Sequence, residues 1–120
     1  MISDHVIVLA ENEVHAGQLE NLKALIAEMA EYIEREEPGT LNYEWYVTED
    51  GTSAHVYERY ANSDIFLEHL AVVGQKYGER LFSCLTIKKM SVYGNPNAKV
   101  REMFAPFAPV IRGRIGGMAR

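Results

Sequence analysis

Leu41-Asn42-Tyr43-Glu44-Trp45-Tyr46-Val47-Thr48-Glu49-Asp50-Gly51-Thr52-Ser53-Ala54-His55-Val56-Tyr57-Glu58-Arg59-Tyr60-Ala61-Asn62-Ser63-Asp64-Ile65-Phe66-Leu67-Glu68-His69-Leu70 contains two strands, the turn that joins them and the start of a helix. Leu41, Tyr43, Trp45 and Val47 alternate with Asn42, Glu44 and Tyr46, and aromatic and β-branched content of this kind suits a pleated strand. Glu49-Asp50-Gly51 is a hairpin turn signal, so Ala54 to Tyr60 is expected to return as an antiparallel partner. Asn62-Ser63-Asp64 offers capping side chains to a helix whose Ile65, Phe66, His69, Leu70 and Val73 share one face. Gly74 and Gly78 leave its later turns undetermined.

Working outward, His5 to Leu9 reads as a first strand covered on both faces, and the polar stretch Ala10 to Ala16 reads as a loop. From about Gly17 to Glu36, Leu19, Leu22, Ile26, Met29 and Ile33 recur at spacings of three and four, which predicts an amphipathic helix. Glu37-Pro38-Gly39 ends it, because proline disfavours helix in the residue before it. Leu85 to Tyr93 is a fourth strand, broken by Gly94-Asn95-Pro96. The order βαββαβ predicts an α+β, ferredoxin-like domain over residues 1–94, an antiparallel sheet with two helices on one face. Ile7 and Val8, Trp45 and Tyr46, Ile87 and Met90 are apolar at both strand parities, so the other face is expected to pack on the sheet of a second copy.

Residues 95–120 are not needed by that fold. Asn95-Pro96 marks a helix start with Val100, Met103 and Phe104 as its apolar side, ended by Pro106 and Pro109, while Val110 to Arg120 carries no assignable pattern. This extension holds Lys99, Arg101, Arg112, Arg114 and Arg120 against Glu102, a net +4 within a total of −5, which leaves −9 on the other 94 residues. A basic tail is expected to lie on an acidic surface, the chain's own or a partner's. An acidic body argues against nucleic acid, and no aromatic-basic strand signature is present. No apolar run is long enough for a membrane span and Met1 to His5 does not begin a secretory signal, so a cytoplasmic protein is expected. Cys84, the single cysteine, reads as core filler from its setting between Phe82 and Leu85.

Two stretches resemble the antibiotic-biosynthesis monooxygenase-like family of dimeric α+β barrels. One is Glu36-Glu37-Pro38-Gly39-Thr40-Leu41-Asn42-Tyr43, similar to that family's helix-to-strand turn. The other is Tyr57 to Leu70, similar to its strand-end glutamate, aromatic residue, helix cap, phenylalanine and helix histidine. The resemblance covers about residues 4–94 and implies a homodimer and a small aromatic ligand. Its haem-degrading members call for an asparagine on the first strand, and His5 to Ala10 contains none.

His69, on the apolar face of its helix, is the leading catalytic candidate: burial would lower its pKa and keep it neutral as a base. Glu58, in the preceding strand, could orient the imidazole as the carboxylate of a triad does, or it could pair with Arg59 or Arg80. Tyr60, Trp45, Tyr43 and Phe66 are the candidate substrate-binding residues, since aromatic walls suit flat apolar ligands; aromatic core is the competing role. No metal is expected; only a convergence of His55, Glu58 and His69 could build a two-histidine, one-carboxylate site. The resemblance implies a cofactor-independent monooxygenase acting on a hydroxylated aromatic or quinol. A non-catalytic dimer that binds a small molecule or accompanies a pathway enzyme uses the same pocket.

Overall fold

Alternate burial of Val6, Val8, Ala10, Asn12 and Val14 carries the first strand, β1, from Val6 to Val14. The computed structural model describes residues 1–120. After β1 come α1 (Leu19–Glu36), β2 (Thr40–Val47), β3 (Ser53–Tyr60), α2 (Ser63–Cys84), β4 (Leu85–Gly94), α3 (Ala98–Phe104) and β5 (Val110–Arg112). The sheet order is β2-β3-β1-β4-β5. β1 is antiparallel to both β3 and β4, and β2 to β3, the ferredoxin-like arrangement expected from the sequence. α1 and α2 cover one face, where Leu25, Met29 and Ile33 pack on Val73 and Tyr77.

Four features depart from the sequence reading. The stretch Ala10 to Ala16 is not a loop up to Val14: Glu11 and Glu13 point away from the helices and Asn12 toward them, so its polar residues follow strand alternation. In β4, Glu11 pairs with Lys89 and Asn12 with Ile87, so Lys88 is an extra residue in the ladder. That bulge turns Ile87 and Met90, of opposite parity in sequence, onto the same helix-covered face, where both pack into the core. α2 continues through Gly74 and Gly78 to Cys84 because Val73, Tyr77 and Cys84 are held by packing on either side of them. Finally, Val110–Arg112 forms a short strand parallel to β4 at the sheet edge, with Ile111 turned toward the core.

The extension wraps the body through buried Val100 and Phe104, the latter 5.3 Å from the Phe66 ring. Its cations meet no carboxylate of the chain: every ion pair is made by residues outside 95–120. Arg101 donates instead to the Pro96 carbonyl at 2.9 Å, and Arg112 and Arg114 share a cleft with His5 and Arg59. No helix is long and apolar enough to cross a membrane.

Candidate functional site

The turn that ends α1 determines the site. Glu37 is the C-cap residue, its N–H donating to the Ile33 carbonyl, and Pro38 prevents a further helical turn. Gly39 follows, and a Cβ there would press into the side chain of Ile65 at the start of α2. Without it, β2 enters close under α2, and His69, one turn on from Ile65, comes within reach of Glu37. Thr40 closes the turn, its Oγ1 donating to Glu37 Oε1 at 2.8 Å.

His69 Nδ1 lies 2.7 Å from Glu37 Oε1, and its Nε2 lies 3.4 Å from Glu58 Oε1. The ring is only 5% exposed. Burial works to lower the imidazole pKa, but hydrogen bonds to Glu37 and Glu58, reinforced by their charges, win and raise it to about 9. His69 is therefore an imidazolium at neutral pH, not the neutral base expected from burial alone. Burial pushes the Glu37 carboxyl up, and the opposing pull of His69 and Thr40 leaves it below its ordinary value. Sequence reasoning gives Glu37 no role beyond its place in the family-like turn, although it is an acid at a helix C-terminus, where the dipole disfavours negative charge.

Glu58 receives a short 2.5 Å hydrogen bond from the Tyr60 hydroxyl. Arg59 and Arg80 are not its partners: Arg59 donates to His5, and Arg80 holds Glu28. Tyr60 is fully buried behind Glu58 against Phe66, 4.5 Å between rings, and does not line the cavity. As the strand's last even-numbered residue it points into the helix layer, which Phe66 and Phe104 already fill. Tyr43, Trp45 and Phe66 do line the cavity, together with Glu58 and His69. Burial, and then the nearby Glu58 charge, raise both Tyr43 and Tyr60 above ordinary phenol values, so both stay protonated.

The cavity measures about 320 Å³ and lies between the sheet, α2 and the segment Met103–Phe107, with mostly apolar walls. Asn12 stands in its lining, 3% exposed. Its Nδ2 donates to the carbonyls of Ala10 and Ala54 at 3.3 and 3.1 Å, which fixes the amide orientation and leaves Oδ1 without a partner. Trp45 Nε1 lies beside the Tyr43 hydroxyl but has no acceptor in hydrogen-bond geometry. β1 runs past Ala10 to Val14, so the first strand does contain an asparagine, Asn12, contrary to the expectation drawn from His5 to Ala10. His55 is on the opposite face of β3 from Glu58, 3.6 Å from Glu11, so His55, Glu58 and His69 do not converge; no cluster of histidine, cysteine or acidic side chains could hold a metal ion.

The family model described as antibiotic biosynthesis monooxygenase matches residues 5–73, more than half of the chain. The chain belongs to that family. Among solved structures, MupZ from Pseudomonas fluorescens is similar with a TM-score of 0.83 and 25% identity, over 97% of this chain and 94% of that one. SnoaB from Streptomyces nogalater, a cofactor-independent oxygenase, has a TM-score of 0.66 and 20% identity over 79% of this chain and 96% of its own. Rv0793 from Mycobacterium tuberculosis has a TM-score of 0.64 and 24% identity over 78% and 96%. The last two likenesses are of fold alone. MupZ extends over almost the whole chain, including the region of α3 and β5 that the family model leaves out. No curated protein matches significantly.

Proposed function

We propose that this member of the antibiotic biosynthesis monooxygenase family is a cofactor-independent monooxygenase acting on a hydroxylated aromatic or quinol. The observation that carries the reading is a carboxylate, Glu58, 3.4 Å from an imidazolium, His69, at the wall of an apolar aromatic cavity. Their roles are the reverse of those expected from sequence. Glu58 is the general base that takes the phenolic proton, and His69, held from behind by Glu37, stabilises the resulting oxyanion. Tyr60 orients Glu58, while Asn12 Oδ1 and Trp45 Nε1 offer an acceptor and a donor to the substrate's other polar groups.

The substrate anion itself supplies the electrons. It passes one electron to dioxygen, the radical pair recombines as a carbon-bound hydroperoxide, and loss of water leaves a quinone. The ring gains one oxygen and loses two hydrogens; the second oxygen departs as water. The test is oxygen uptake with a panel of phenols and quinols. Glu58→Gln is expected to lower the rate at least about 100-fold, the low end for a lost acid–base group; uptake by the wild type no faster than by Glu58→Gln overturns the reading.

The opposite face of the sheet supports a homodimer as part of the same proposal. Ile7, Leu9, Tyr57, Tyr93 and Val110 share that face in register, and Tyr46 is 61% exposed beside them. A second copy packed sheet to sheet covers them.

A further inference from the structure

One row of α2 is packed at its start, where Phe66 and Leu70 join the core, and open from Gly74 onward. Phe66, Leu70, Gly74, Gly78 and Phe82 recur every fourth residue, and all five line the cavity. A Cβ built on Gly74 or on Gly78 would meet nothing within 4 Å, so neither glycine makes room for another part of the chain. Both weaken the interior of a 22-residue helix, where alanine is the better residue. The row is thus two large side chains, a gap of two turns, and an aromatic residue that is 50% exposed at the end. A second, independent observation in the same cavity is the Asn12 amide, 97% buried with its Oδ1 unpartnered. A buried acceptor of this kind is normally satisfied, here by something that enters the cavity.

We infer that the ligand is amphipathic and elongated, with a hydroxyl-bearing head at His69 and Glu58 and an extended apolar tail lying in the Gly74–Gly78 gap under Phe82, Met103 and Phe107, where Asn12, about 13 Å along β1 from the Val8 that pairs with Glu58, offers its Oδ1 to a donor on the ligand's far part. At about 1.5 Å of rise per residue, Gly74 and Gly78 lie about 8 and 14 Å along α2 from His69, beyond the reach of a single ring held there. The inference deepens the proposed function by naming the substrate class, and it rests on that reading only for the chemistry of the head.

Trp45, the sole tryptophan, stands in the cavity wall and reports binding by its fluorescence. The probes are 4-alkylphenols from methyl to heptyl and, in parallel, linear 1-alkanols of matching length. Affinity for the wild type is expected to rise about fourfold per added methylene until the gap is filled. In Gly74→Leu/Gly78→Leu that slope disappears, while affinity for phenol itself is unchanged. Gly74→Ala and Gly78→Ala, which can only strengthen the helix, are expected to raise the melting temperature and lose part of the slope, which guards against a misfolded double variant. Phenols that bind without dependence on chain length overturn the tail site and leave the aromatic reading standing. Alkanols that bind with the slope while phenols do not support the tail site and sink the aromatic head. Absence of binding by either series overturns the inference, as does a double variant that changes the sedimenting mass instead of the slope, because the gap is then a protein contact.

Discussion

The Glu37–His69–Glu58 cluster predicts a stability that falls in alkali. His69 titrates near 6.5 when exposed in the unfolded chain and at about 9 in the fold. At about 1.4 kcal/mol per pKa unit, the protonated ring is linked to about 3 kcal/mol of folding free energy. The folded value is the higher one, so this contribution is complete below the unfolded pKa and is lost as pH rises through about 9. Glu37 has the opposite sign: its folded pKa is depressed, so its contribution holds above its unfolded value and fades as pH falls through the folded one. The two share one interaction and are counted once. The assay is urea unfolding at fixed protein concentration, at pH 6, 8 and 10, of the wild type and of His69→Gln, whose amide can still bond Glu37 but does not titrate. The stability difference between them is expected to shrink by about 3 kcal/mol from pH 6 to pH 10. Nitrogen-15 resonances of the imidazole give the microscopic answer directly. A ring that titrates at or below 6.5, or a difference that stays constant across this range, refutes the cluster as described.

Gly94→Ala tests the end of β4: the residue sits at φ 112°, and an added Cβ would press into the His5 carbonyl oxygen, a backbone atom that cannot swing aside. A loss of about 2–3 kcal/mol in unfolding free energy is expected, and a loss below 0.5 kcal/mol contradicts the geometry. Sedimentation at micromolar concentration is expected to give a mass near twice 13.6 kDa; a stable single-chain mass removes the homodimer from the proposal.

The element order was legible because the hairpin, the α1 stop and the α2 cap each depend on local chemistry carried by neighbouring residues. Two errors arose where the local signal was polar or the period broke. Glu11-Asn12-Glu13 looks like a loop by composition, yet its outward acids and buried amide obey strand alternation, and the cavity's unsatisfied acceptor was hidden there. Lys88 shifts the parity of β4 by one, which no single-strand pattern reveals, since a bulge is defined against its partner. At the site, His69, Glu58, Tyr43, Trp45 and Phe66 were identifiable as residues brought together by two adjoining elements. Glu37 was not, because it acts across 32 positions of sequence and does so through the close approach that Gly39 permits. That contact, acting with Glu58, reverses the charge state inferred for His69.

The position of β1 at the centre of the sheet also governs how the chain reaches this state. Val6 pairs with Gly94, so the central ladder closes a loop of nearly the whole domain, the kind of non-local pairing that slows folding. During synthesis Glu37, Glu58 and His69 are all made before the strand that completes their surroundings, since Leu85, Ile87 and Met90 supply part of the cavity wall. Until β4 docks, β1 is an open edge presenting Val6, Val8 and Ala10, the most vulnerable moment for a sheet protein. Docking of β4 therefore closes the β1 edge and supplies the sheet side of the cavity in one step, and the segment Met103–Phe107 closes the cavity afterwards.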